Sequence, residues 1–391
     1  MSVEIYDLAQ RLRAALEHAP VPRAVYAPCL PPVDPVAVVL ERVGREPVLH
    51  AASAAGEATG AGSGALGALR ALGVTLGDSF RTLVVPDVDT LAALARLARD
   101  SPVDDEHAEQ AAVVAWWDQR GDHPGSSAVL FVADACARRW VLGTAPAAER
   151  LTVTWSSWLG VTSSGPCALL ELAERVAAGP SLPGLDEVAG ADERSWSYHR
   201  ERLSRGWDWR RPDSRVEAAL GLASRADAAE LYESLRLHDP LVALREAQVG
   251  NVITGRVVQA TKRGPLVIES SQRVCRLRAD TEVQGWVGTP VDAPGTDRPR
   301  VTGVLAAVTV SAAQTLTLTL RTAATRNGSI TVGDPMTLRS KAAEPHQQRH
   351  GRGNLGGRYR SPHNWLATAT PPEPRRREVP LDIVIAAADD I

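Results

Sequence analysis

Between positions 251 and 339 apolar and polar residues alternate with period two, in short runs separated by glycine, proline and aspartate. Successive side chains of a strand point to opposite faces, so this spacing predicts strands that each bury one face. In the clearest run Leu316, Leu318 and Leu320 fall on one face and Thr317 and Thr319 on the other. Similar runs at 252–259, 266–269, 273–278 and 301–311, with a last one near 332–336, predict five or six short strands in about ninety residues. An open sheet of that kind would leave long unpaired edges. A small antiparallel β-barrel, of OB type by preference over a sandwich, is therefore expected.

Upstream the period changes. Apolar residues at helical spacing from Ile5 to Leu16 predict an amphipathic helix, and Asp34-Pro35 reads as an N-cap with proline in the first turn of a second helix reaching Val43. Apolar runs at 47–51, 81–85 and 128–133 read as buried strands, with helices predicted at 67–72, 90–99 and 106–119. Strands alternating with helices predict an α/β sheet, mostly parallel, over 20–165. After a helix at 169–178, glycine and proline at 179–190 read as a linker, and 216–247 as helices broken at Asp239-Pro240. The expected class is thus α/β plus all-β. An α/β domain covers 1–178, a linker and helical connector 179–249, the barrel 250–339, and a flexible basic tail 340–391, with a candidate terminal strand at 381–385.

Composition narrows the function classes. The chain has 391 residues, 44% hydrophobic and 23% charged, with a net charge of −3, which argues against indiscriminate wrapping of nucleic acid while leaving local basic patches. Only Lys262 and Lys341 are lysine among the 43 basic residues. Cys29, Cys136, Cys167 and Cys275 are widely spaced, so neither a zinc site nor a disulfide framework is signalled, and a reducing cytoplasm is expected. No run approaches the roughly eighteen apolar residues of a membrane span, and no membrane partner is expected.

Three stretches carry candidate chemistry. Gly62, Gly64 and Gly67 satisfy a G-x-G-x-x-G pattern, but about a dozen residues separate them from the preceding strand where a dinucleotide site needs a tight turn. No cofactor is predicted from them. Asp87, Asp89 and Asp134 fall at predicted strand ends, where carboxylates hold Mg²⁺ in phosphodiester hydrolysis. That is the alternative reading, a metal-dependent nuclease. The third stretch, 194–215, carries seven arginines against three acids and interleaves them with Trp196, Tyr198, His199, Trp207 and Trp209. Guanidinium groups neutralise phosphate and rings stack on exposed bases, the combination that single strands reward.

The leading expectation is a non-enzymatic nucleic-acid-binding or accessory protein, with single strands favoured. Its candidate binding residues are Arg200, Arg205, Trp207, Trp209, Arg210 and Arg211 of the basic-aromatic stretch, and Arg256, Lys262, Arg263, Arg276, Arg278 and Trp286 of the barrel. No metal ligand set is predicted. A scaffold whose tail adds a strand to a protein partner is the remaining alternative.

Overall fold

The computed structural model describes residues 3–102, 106–261, 265–292, 299–310, 315–341, 355–368 and 370. Contacts divide the chain into two units, 1–211 with 225–345, and 212–224 with 346–391. In the second unit the described residues include the start of a long helix and the short helix Trp365–Thr368. The first unit holds two sheets of the α/β region and the barrel.

Helix α1 (Val3–Glu17) forms where the spacing predicts a helix, but its apolar stripe stays exposed at Ile5, Leu8, Leu12 and Leu16, while Ala14 is buried. The two-residue strand β1 (Val21–Pro22) pairs antiparallel with β7 (Trp140–Val141). The main sheet is built from β2 (Val36–Val43), β3 (Glu46–Ser53), β4 (Gly56–Ala61), β5 (Leu83–Val85) and β6 (Val129–Phe131), in the order β4-β3-β2-β5-β6. It is mixed rather than mostly parallel: β2-β5 and β5-β6 run parallel, β4-β3 and β3-β2 antiparallel.

Two misread segments account for the difference. Residues 36–43, expected as a helix behind the Asp34-Pro35 cap, are strand β2, because Val36, Ala37 and Val38 are buried, with β5 beside the first two and β3 along the strand, and gain more from that than a cap contributes. Residues 52–61, where no element is predicted between the strand at 47–51 and the helix at 67–72, complete a hairpin with Ser53 opposite Gly56. Gly56 adopts φ 128°, a conformation open to glycine and costly for other residues.

Helices cover both faces of this sheet. Val36, Val38, Leu83 and Val85 join one core with residues of α2 (Gly67–Ala71), α3 (Val88–Asp100) and α4 (Ala108–Gly121). Ala37 and Val84, the alternate positions, join another with α5 (Val132–Arg139), α6 (Thr152–Leu159) and α7 (Gly165–Ala177). The stretch expected as a linker becomes, from Leu185, helix α8 (Leu185–Ser204). Leu185, Val188, Asp192, Trp196 and His199 form its buried face, at helical spacing. The connector forms as α9 (Arg215–Arg236) and α10 (Pro240–Gln248). Asp239, 1% exposed, caps α10 through the N–H groups of Leu241 and Val242 and also accepts from those of Val25 and Tyr26.

The barrel closes as expected, with all its pairs antiparallel. Its strands are β8 (Val252–Ala260), β9 (Leu266–Ser270), β10 (Glu282–Val287), β11 (Arg300–Val310), β12 (Leu316–Arg326) and β13 (Pro335–Ser340), in the order β10-β11-β12-β9-β8-β13. Six strands make the ring, where an OB-type barrel is built on five. Residues 273–278, expected as a strand, contribute none. Leu316, Leu318 and Leu320 point into the core with Ile253, Ile268, Leu305 and Leu338, so the barrel is filled by side chains.

Candidate anion site on the barrel

The basic-aromatic stretch packs against the α/β region instead of lining a groove. Trp196 is 2% exposed, edge-on to Trp116 at 4.8 Å, and its indole N–H donates to the Gly77 carbonyl at 3.0 Å. His199 stacks on Trp196 at 6.2 Å and meets Trp207 edge-on at 5.7 Å. The Arg202 guanidinium covers the Trp207 ring at 3.6 Å, and Arg210 covers Trp209, itself packed on the core, at 4.5 Å. Arg210 also donates to the Ser101 and Pro102 carbonyls. Arg200 pairs with Asp78 at 2.9 Å and Arg205 with Glu201 at 2.6 Å, and among the described residues the exposed Arg211 side chain has no hydrogen-bond or ion-pair partner. Each ring face that a base would need is therefore already covered on at least one side.

The barrel candidates are scattered. Arg256 is exposed, donates to the Gly333 carbonyl at 3.1 Å and stands directly across from Glu269. Arg276 and Arg278 are exposed beside a cavity of about 320 Å³ that Glu230, Glu233 and Glu246 also line, so carboxylates compete there with any incoming anion. Lys262 and Arg263 lie outside the described residues. Trp286 is 2% exposed and donates its N–H to the Thr289 carbonyl at 3.1 Å, which removes it as a stacking platform.

Trp286 does, however, mark a site that the sequence reading missed. A cavity of about 370 Å³ opens beside it, lined by Arg300, Arg326, Arg339 and Lys341, with Gln284 and His238 among the polar groups. Among the described residues no aspartate or glutamate lines it. Strand register assembles it. Trp286 on β10 faces Arg300 on β11, Arg300 faces Arg326 on β12, and Gln284 faces Arg339 on β13. Like charges directly opposite one another disfavour pairing, so the Arg300–Arg326 row is not there for the sake of the sheet.

Arg339 is the floor of the cavity, 2% exposed. Among the described residues its partners are all neutral. Nη1 donates to the Ser234 carbonyl at 2.8 Å, and Nη2 reaches His238 Nε2 at 2.9 Å. With its amide oxygen turned to the guanidinium, Gln284 accepts from Nη2 at 2.9 Å and Nε at 3.1 Å. Burial, and next the charge of Arg300, lower the Arg339 pKa to about 10, so it stays a cation at neutral pH. A buried cation held by dipoles alone is an unfinished pair. Arg326, on the exposed rim, has no hydrogen bond or ion pair among the described residues, and Lys341 reaches Glu282 only at 3.6 Å.

Comparison with family models, curated proteins and solved structures finds no match.

His238 completes the wall. Its Nδ1–H donates to the Leu235 carbonyl at 3.0 Å, which leaves Nε2 as the acceptor for Arg339 and fixes a neutral tautomer. Burial, then Arg339 and Arg300, push its pKa down to about 4. His199 is likewise pushed down to about 4, by burial and then by Arg202, against the opposing pull of its bond to the Ala112 carbonyl. The unfolded chain protonates these rings near their ordinary 6.5, while the folded chain resists until about 4. The unfolded state thus binds more protons as pH falls from 6.5, and stability contributed by both histidines is complete above 6.5 and lost progressively down to about 4. Each shift corresponds to at most about 3 kcal/mol, less for the part-buried His238. Urea denaturation from about pH 7 to about pH 4.5 should show the loss, and His199→Gln should shrink it. A stability that stays level down to about pH 5 would contradict the assignment.

The acidic candidates do not converge. Asp87 caps α3, accepting from the Thr90 N–H and hydroxyl at 2.8 Å each. Asp89 is exposed in the first turn of that helix, and Asp134 pairs with Arg138 at 2.7 Å. Among the described residues no three His, Cys, Asp or Glu side chains form a metal-holding group. Gly62–Gly64 form a single 3-10 turn after the hairpin strand β4, away from any parallel strand-to-helix turn.

Proposed function

We propose that the protein is a non-enzymatic nucleic-acid-binding or accessory protein that holds phosphate on its barrel and does not read bases with its indoles. One observation supports this above the rest: four basic side chains converge on one concave site that no carboxylate lines among the described residues. Phosphate oxygens match guanidinium geometry in pairs, and desolvated cations gain most from them. With Trp207 and Trp209 packed and Trp286 buried, the preference for single strands loses its stacking argument and rests on the flexibility of an unpaired backbone alone. A cytoplasmic setting goes with the proposal, since all four cysteines are free thiols and burial pushes those of Cys29 and Cys136 up to about 12.

The test is a mobility-shift titration with single-stranded and duplex DNA and RNA, at low and moderate salt, with and without magnesium. Each phosphate neutralised on a single strand contributes about −0.7 to the log–log salt slope, so one phosphate group held in the cavity predicts a slope of about −0.7. No shift at about 50 mM salt sinks the reading. Magnesium-dependent cleavage would instead favour the nuclease built on Asp87, Asp89 and Asp134. The alternative in which 381–391 adds a strand to a protein partner concerns residues outside those described.

A further inference from the structure

We propose that the barrel cavity is a site for a terminal phosphate monoester, the end of a phosphorylated chain or a small phosphate compound, and not a stop along a continuous backbone. For the chain-end source this rests on the nucleic-acid reading above.

The depth of the charges carries the inference. Arg326 sits on the exposed rim, whereas Arg339 is 2% exposed at the floor of a cavity of about 370 Å³. An internal phosphodiester has carbon substituents on two of its oxygens and must leave the cavity on both sides. It can reach rim arginines while its phosphorus stays outside. A monoester has a single substituent, three free oxygens and a charge of about −1.5 to −2 near neutral pH. It can enter end-on, place oxygens against the floor guanidinium and leave its one ester link toward solvent.

The donors fit that shape. Gln284, His238 and the Ser234 carbonyl already occupy most of the N–H groups of Arg339, so the floor supplies a desolvated charge and little further hydrogen bonding. Arg326, whose donors are uncommitted among the described residues, supplies the rim hydrogen bonds, with Lys341, 3.6 Å from Glu282, as a third cation. The cavity volume suits one nucleotide-sized group and no longer segment. Trp286, buried beside Arg339 with its ring 6.0 Å from that guanidinium, walls the site and leaves no face for a second base.

The full chain is titrated with three probes: a single-stranded oligonucleotide bearing a 5′-phosphate, the same oligonucleotide with a 5′-hydroxyl, and inorganic phosphate. Each is repeated with Arg326→Ala, a rim change that removes no hydrogen bond or ion pair of the described residues. The phosphorylated oligonucleotide is expected to bind at least tenfold more tightly, inorganic phosphate to compete away that difference, and Arg326→Ala to erase it. Binding of inorganic phosphate to the parent chain, lost in Arg326→Ala, with neither oligonucleotide binding, would uphold the monoester site and overturn the nucleic-acid reading. Equal affinity for the two oligonucleotides would overturn the monoester site and leave nucleic-acid binding standing. Binding of no probe would overturn both.

Discussion

Replacing Asp192 by alanine is expected to cost about 3–5 kcal/mol of stability. Asp192 is 0% exposed on the inner face of α8. Its carboxylate accepts from Arg120 Nε at 2.8 Å, from the hydroxyls of Ser126 and Ser127 at 2.9 and 3.0 Å, and from the Ser127 N–H at 2.7 Å. Removing it strands Arg120, 7% exposed at the end of α4, as a buried charge with no counter-ion. The pair as a whole contributes far less than its breakage costs, since both ions were desolvated to make it. The double change Arg120→Met/Asp192→Leu should therefore cost less than Asp192→Ala alone. Urea midpoints of the three chains check both statements. A loss below about 1 kcal/mol for Asp192→Ala would mean the carboxylate is not the anchor of α8. The anchor matters for function, because α8 carries Trp196 and His199 and leads into Trp207 and Trp209. While it holds, those rings stay in the packing of the α/β region.

The second large effect belongs to the barrel site. Arg326→Ala is expected to leave stability within about 0.5 kcal/mol, as surface changes without partners do. Nucleic-acid affinity should nevertheless fall about tenfold or more, the size of one lost hydrogen bond to a charged group. Arg339→Ala should behave differently. The Ser234 carbonyl, His238 Nε2 and the Gln284 amide oxygen all lose their donor, so a stability loss of a few kcal/mol, about 1–3 per stranded group at most, accompanies the lost binding. The contrast separates a rim contact from a floor. If both variants lost only stability, or Arg326→Ala bound nucleic acid as the parent does, the site would be a structural junction between α9 and the barrel.

How much of this was legible in the sequence depends on whether the deciding contact was local. Leu316, Leu318 and Leu320 alternate with threonines, and that pattern survives because a barrel has an inside and an outside at every position of the strand. The break at Asp239-Pro240 was legible from a cap whose chemistry lies within three residues, and the first helix from its spacing alone, since Ile5, Leu8, Leu12 and Leu16 stay exposed. Strand β2 was not. Asp34-Pro35 is a good local helix start, and only the partner strands reveal that Ala37 lies between two strands and that Val36 to Val38 are buried. Composition placed arginines and indoles together at 194–215 but said nothing of which way they face. A usable signal was there, since Leu185, Val188, Asp192, Trp196 and His199 recur at three or four residues, the stripe of a helix laid on a core. The anion site had no such signal. Arg300, Arg326 and Arg339 come from three strands and become neighbours only when β10, β11, β12 and β13 pair in their particular register.

On the proposed function, the barrel cavity, and not the stretch around Trp207 to Arg211, meets the ligand. Hydrogen exchange of the full chain, with and without a saturating single-stranded oligonucleotide, tests it most directly. Slowed exchange at the Arg300 end of β11, the Arg326 end of β12 and along β13, with 207–211 unchanged, is the expected result. Slowed exchange at 207–211 with an unaltered barrel would contradict it.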